Sequence, residues 1–488
     1  MLFTIKRTFN IAVSLLICLF PNTNTYGQSF EEYRQMTNRQ FENRRQTVRK
    51  DYEALKEKVN KEFSDILGRE WKPSGERSIR SNPLEAIPSL PPQDAPDEVA
   101  KPVQKQCDAV QIAKNSANPV PPTEIAENPE GTQTRIQSMF YGSNISVRFD
   151  IKDRASIKRT DPSDIVELWN RFSTTEYSNL LADFYSIRQR FELCDWASLK
   201  LSQKVSEMVY GNMDSNESVV LQSFLLTQCG LMSCMIHDGN DRLHLLVAAD
   251  KTLVGYPGYN IDGYDMFQVD REEISSGTVP QKSFSSTVPL RMSISCSGKF
   301  DENRYKTDKG ATVNRNDIDF YADYPSFFDE GRPVTAFWHV GQVQLSSDAR
   351  ETLYPYLKGI IDDMSEVEAV QTLLLYFYKV FPYKEDEKVW GKERYFFPEE
   401  TLYYEFCDCE DRAILFTRLV RDLLGLKTAL IYMPGHLAAA VRFSGNVEGD
   451  AVTSGGNRYV ICDPTYINAN VGQAMPGWNE KQIEVVVL

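Results

Sequence analysis

Three residues of different chemistry stand at even spacing near the end of the 488-residue chain: Cys409, His436 and Asp463, each 27 residues from the next. A thiol, an imidazole and a carboxylate are the nucleophile, base and orienting group of acyl-transfer chemistry. In that chemistry the thiolate attacks a carbonyl, the imidazole carries the proton, and the carboxylate selects the imidazole tautomer. The chain holds only four histidines, so one at this spacing is a specific signal.

The surrounding sequence supplies elements that would present each group. After Cys407-Asp408-Cys409-Glu410-Asp411, apolar residues at Ile414, Leu415, Leu419, Leu423 and Leu424 repeat at helical spacing, and Gly425 is a stop signal. Cys409 therefore opens a helix, with Glu410 and Asp411 in its first turn, and such a position is expected to draw a thiol pKa down. Its backbone N–H is the expected oxyanion donor. Residues 428–443 read as two strands divided at Pro434-Gly435, the second opened by His436. Residues 458–465 read as another strand, ending at Asp463. Ahead of the nucleophile, Val367, Val370, Leu373, Leu374, Phe377 and Phe381 mark a buried helix. Trp390, in a charged loop, is the expected substrate-binding residue, while Phe396 and Phe397 read at least as well as core.

Cys-Glu-Asp before an apolar helix ending in Gly, then Gly-His-Leu-Ala-Ala-Ala-Val, then Asp-Pro-Thr-Tyr, resembles the bacterial transglutaminase-like superfamily over residues 350 to 475. The resemblance implies a papain-like domain with a catalytic triad of Cys409, His436 and Asp463, acting as a cysteine peptidase, amidase or acyl transferase through a thioester. Cys407 departs from the pattern, which usually has Gly before Asp-Cys, and it adds a second thiol. A zinc site of Cys407, Cys409, His436 and Cys462 is the competing reading. The Cys-x-Cys gap is tight for it, and Cys462 and Asp463 would point to opposite faces of a strand. No cofactor and no metal is expected.

Composition limits the partners. Net charge is −14, and removal of residues 1–27, which carry Lys6 and Arg7 and no acid, makes it −14 − 2 = −16. So acidic a protein offers nothing electrostatic to nucleic acid. Residues 1–27 read as a secretory signal, a basic start followed by an apolar run from Phe9 to Phe20 that is too short to span a membrane. The protein is therefore expected to be exported, to the periplasm or to the cell surface and medium, with no transmembrane segment. Its eight remaining cysteines show no regular disulfide framework.

The rest of the chain divides by pattern. Residues 28–71 read as a long polar helix whose stripe includes Phe41, Val48, Tyr52, Leu55, Val59, Phe63 and Ile66. That stripe suits docking on the body better than self-association through 30–71, because it holds for few heptads. Residues 72–132 carry 11 of the 24 prolines and read as an extended linker. Residues 133–283 read as α+β and as a faint second copy of the C-terminal pattern. In it Gly230-Leu231 matches Gly425-Leu426, His244-Leu245 matches His436-Leu437, Asp270 takes the place of Asp463, and Asp214 stands where the thiol would be. Residues 284–349 read as a β-rich connection, with strands at 287–297 and 332–345 around a polar loop. Residues 350–488 are the expected catalytic domain.

The expected fold class is α+β: an N-terminal long helix, a central α+β region and a C-terminal papain-like or transglutaminase-like domain. The expected activity is cleavage of peptide or carboxamide bonds in a protein or peptide substrate, ahead of transfer to an amine. The alternative is a non-catalytic peptide- or glycopeptide-binding or structural envelope protein.

Overall fold

Two six-stranded sheets, each carrying one buried helix, form the frame of the protein. The structure is a computed structural model, and it describes residues 54, 57–58, 60–74, 93–95, 102–111, 134–270, 274, 277–280, 287–292, 300–329, 332, 334–480 and 482–488. The signal sequence read at 1–27 and most of the 28–71 helix lie outside these residues. Residues 55–488 belong to one compact unit, and the architecture is mixed helix and sheet, α+β. Among the described residues no helix is long and apolar enough to cross a membrane.

The C-terminal sheet is ordered Glu484–Val487, Lys427–Met433, His436–Arg442, Asn457–Ile461, Ala451–Ser454 and Gln104–Gln106. Helix Cys409–Leu424 packs on the Lys427–Met433 and His436–Arg442 strands. It ends where Gly425 takes a left-handed φ of 68°, which costs a residue without Cβ nothing. Gly435, at φ 84°, makes the tight turn that pairs Met433 with His436. Strand alternation sends Leu430, Leu437, Ala439 and Val441 into the main core. It sends Ala429, Ile431, Ala438, Ala440 and Ile461 into a second core closed by Trp478.

The other sheet is ordered Lys72–Pro73, Thr278–Val279, Ser233–His237, Leu243–Ala248, Tyr264–Gln268 and Gly258–Ile261. Its helix, Asn216–Gln228, is capped by Ser215 and packs on the Leu243–Ala248 and Ser233–His237 strands. In both sheets a helix leads into a hairpin, the second strand of a later hairpin inserts beside the first hairpin's second strand, and the last strand pairs with its first. The chain order and the antiparallel pairings of this core are the same in the two halves.

Three readings need correction. Residues 334–342 form a helix, Val334–Gln342, not a strand. Seven of its nine residues are buried, so no polar face breaks the run, and its Val, Thr and Phe content mimics a buried strand. The polar stretch before it is no plain loop: it holds the hairpin Arg304–Lys306 with Thr312–Asn314 and the helix Arg315–Asp323. The described part of 72–132 does more than space two bodies. Gln104–Gln106 adds a parallel strand beside Ala451–Ser454, and Asp94 and Ala109 bridge to Ile467 and Val485.

The end of the N-terminal stripe is described, and it docks. Residues 60–67 are helical, with Phe63, Ile66 and Leu67 buried. Phe63 stacks on Trp169 of the helix Pro162–Phe172 at 4.2 Å, a burial worth about 2–3 kcal/mol.

Candidate functional site

Cys409 is the first residue of its helix, and Asp408 caps it with extended backbone. The Asp408 N–H and the Phe396 N–H both donate to Asp411, at 3.3 Å and 2.9 Å, which ties the helix start to the preceding loop. His436 opens its strand directly after the Pro434-Gly435 turn. Asp463 stands two residues beyond the Asn457–Ile461 strand, where the Cys462 N–H still donates to Ala439 O at 2.8 Å.

His436 and Asp463 meet. Nε2 of the imidazole lies 2.7 Å from Asp463 Oδ2. The other carboxylate oxygen accepts the Thr465 N–H at 2.8 Å, and the Tyr378 hydroxyl donates to the Asp463 carbonyl at 2.9 Å. Arg412, one helical turn past Cys409, donates to the carbonyls of Pro464 and Phe381. The helix of the thiol and the loop of the carboxylate are therefore fastened together by one guanidinium.

The Cys409 helix packs on the strand that His436 opens, where the Leu437 N–H draws the Cys409 pKa down and the Asp463 charge pushes it up. Its Sγ donates to Glu410 Oε2 at 3.0 Å. His436 Nδ1 is buried and has no hydrogen-bond partner. Cys409 and His436 have no accessible surface, and Asp463 is 1% exposed, so a substrate reaches the thiol only if the covering residues part.

The electrostatics differ from the expectation for a helix start. Burial holds the Cys409 thiol well above its ordinary range, and the Asp408 charge adds to it. Desolvation and nearby acids outweigh the helix dipole here. Cys407 is buried too, and burial pushes its thiol up to about 12. It sits in a short bridge with Tyr383, its carbonyl accepting the Lys384 N–H, and it is not on the helix.

Beside the thiol is a concentration of acid that the sequence reading did not identify. Asp386, Asp408, Glu410 and Asp411 are all buried. Burial, then the Glu393 charge, pushes Asp386 up to about 7. Burial, then the Glu410 charge, holds Asp408 well above the carboxylate range, and burial, then the Cys409 and Glu393 charges, does the same for Glu410. The zinc set is not assembled. Among the described residues, the one group of three or more His, Cys, Asp or Glu whose donor atoms converge is Asp386, Glu393, Asp408 and Glu410. The seven described cysteines are free thiols.

Trp390 is half-buried and engaged. It packs edge-on against Tyr404 at 4.9 Å and Phe396 at 5.9 Å, with the Arg394 guanidinium 5.0 Å from its ring. Tyr395, Phe396 and Phe397 are core. Sequence reasoning missed Tyr378, Arg412 and Glu410 as neighbours of the triad positions. Glu410 alone carried a signal, being next to the thiol.

Comparison with protein-family models and with curated protein sequences finds no match for this chain.

Proposed function

We propose that the protein is an exported cysteine enzyme of the transglutaminase-like type, with 350–488 as a papain-like catalytic domain. In this reading it cleaves peptide or carboxamide bonds in a protein or peptide substrate. The observation that carries the reading is the His436–Asp463 contact at 2.7 Å, beside a cysteine at a helix start. Nε2 engaged by a carboxylate leaves Nδ1 as the base, and Nδ1 is the nitrogen without a partner. Turned away from Glu410, the thiol gives its proton to Nδ1, and the thiolate attacks the substrate carbonyl. The Cys409 N–H stabilises the oxyanion. Collapse breaks the C–N bond, His436 returns the proton to the leaving amine, and a thioester remains. Water then releases the acid, or an amine takes the acyl group. The central half, with the same strand order and a His244–Asp270 contact but no thiol at its helix start, fits a copy that has lost this chemistry.

A second reading is favoured by the burial of all three groups and the pairing of Sγ with Glu410: a peptide- or glycopeptide-binding or structural envelope protein. Labelling of the native full chain with an iodoacetamide probe at neutral pH, with peptide mapping, separates the two. Faster labelling at Cys409 than at Cys407 and Cys462, together with hydrolysis of a peptide library that Cys409→Ala abolishes and Cys407→Ala spares, is expected. Equally slow labelling of all buried thiols, with no turnover, supports the second reading.

A further inference from the structure

Four carboxylates from two stretches of chain converge immediately behind the Cys409 position. Asp386 begins the short helix Asp386–Trp390, Glu393 follows it, and Asp408 and Glu410 flank the thiol. Each offers an oxygen, and these oxygens lie within 4.8 Å of one another. Asp386, Asp408 and Glu410 are 2%, 1% and 0% exposed. The protein's own donors do not satisfy them. Asp386 Oδ2 accepts the Arg394 N–H at 2.7 Å, but the Arg394 guanidinium is paired with Glu400. Glu393 Oε1, Asp408 Oδ1 and Glu410 Oε1 are buried and receive no donor from outside the cluster; Glu393 and Asp408 meet only the Glu410 carboxyl there. Unpartnered acceptors in a dry interior are costly, and here three of them belong to one cluster.

We propose that Asp386, Glu393, Asp408 and Glu410 form a binding site for a calcium ion that ties the 386–393 segment to the start of the Cys409 helix. An all-oxygen set selects a hard cation over zinc or copper. Opposite ligands of calcium, each about 2.3–2.6 Å from the ion, stand roughly 4.6–5.2 Å apart. Those of magnesium stand roughly 4.0–4.2 Å apart; oxygens all within 4.8 Å of one another can surround either ion, and calcium is the one that accepts an irregular set. Four carboxylates against one divalent ion leave the acceptors engaged rather than facing each other. Glu410 links the site to the chemistry proposed above, and this role alone rests on that reading. Its carboxylate now accepts from Cys409 Sγ, and coordination of Glu410 releases the thiol to turn toward His436 Nδ1.

The test uses the full chain, stripped with a chelator and titrated with calcium chloride by calorimetry and by thermal melting. One saturable site is expected, with a raised melting temperature and magnesium binding at least about tenfold weaker. Glu393→Gln, a half-buried loop position, should weaken calcium binding about tenfold or more while leaving the circular dichroism spectrum unchanged. Asp386→Asn should do the same. Cys409→Ala should bind calcium as wild type does. A wild-type chain that shows neither selective labelling of Cys409 nor turnover, with calcium binding intact, therefore refutes the enzyme and leaves this site standing. No saturable binding to the wild-type chain, or binding unaltered in Glu393→Gln, overturns it.

Discussion

His244 Nδ1 lies 3.1 Å from Asp270 Oδ2, and the pair occupies in the central sheet the place that His436 and Asp463 occupy in the C-terminal sheet. His244 is near the start of the hairpin's second strand, and Asp270 is two residues past the strand inserted beside it, as Asp463 is past Ile461. The facing helix start differs. Ser215 and Ser218 hydrogen-bond each other there, at 2.9 Å, and no cysteine stands among residues 212–218. The contact is present without a nucleophile beside it, and its expected role is in stability.

The pH behaviour of this pair follows from its surroundings. Burial pulls the His244 pKa down, but the hydrogen bond and charge of Asp270, with Asp238 at 3.6 Å from Nε2, hold it above its ordinary value of 6.5. A histidine held above its unfolded value contributes stability that is full below about 6.5 and is lost as pH rises through the folded value. Asp270→Asn should therefore cost about 1–3 kcal/mol at acidic pH, with the deficit shrinking at alkaline pH. Urea melts of the two proteins across about pH 5.5 to 9 measure it. A deficit that grows with pH would refute the assignment, and a change in turnover on any substrate found would refute a purely structural role.

Asp463→Asn tests the C-terminal pair by chemistry rather than by folding. The amide oxygen can still accept the Thr465 N–H, now held at 2.8 Å, so the turn should survive. Its nitrogen would then face His436 Nε2 and favour the tautomer with the proton on Nδ1, which cannot act as base toward the thiol. Turnover should fall about 10³–10⁴-fold with a near-native melting temperature. Loss of the fold would instead make Asp463 a turn residue.

The elements that hold these pairs were legible because punctuation residues bound them. Gly425 and Pro434-Gly435 each close an element at the place the chain requires, and the helix period between them is clear; the strand read as far as Asp463 ends two residues earlier, at Ile461. What was hidden depends on contacts distant in sequence. The Val103 N–H donates to Asp450 Oδ1 across 347 residues, so a proline-rich segment becomes part of a sheet. Glu399 and Glu400 are buried in the helix Pro398–Tyr403, although acids at such positions ordinarily read as a solvated face. For the same reason Asp386 and Glu393 passed as loop charges, and the Cys409 thiol was expected to titrate low. Local dipole arguments know nothing of burial.

Arg412 offers the sharpest test of how thiol and carboxylate are held in register. It is 2% exposed, it reaches the Phe381 and Pro464 carbonyls, and the Tyr383 ring lies 5.3 Å from its guanidinium. Arg412→Met keeps most of the side-chain volume but removes both donors, leaving two carbonyls without them. Stability should fall by about 2 kcal/mol, the order expected for buried acceptors deprived of partners. The larger effect should be on rate, because the Pro464 loop carries Asp463 and so the orientation of His436. A kcat lowered about 10²-fold with KM little changed is the expected split, since misplacement of about 1 Å can cost that much. Arg412→Lys should recover part of the stability through one carbonyl but little of the rate, since an ammonium lacks the planar fork. If Arg412→Met lowered stability while leaving kcat intact, the guanidinium would be packing only, and the register of Cys409 with Asp463 would have to come from Tyr378.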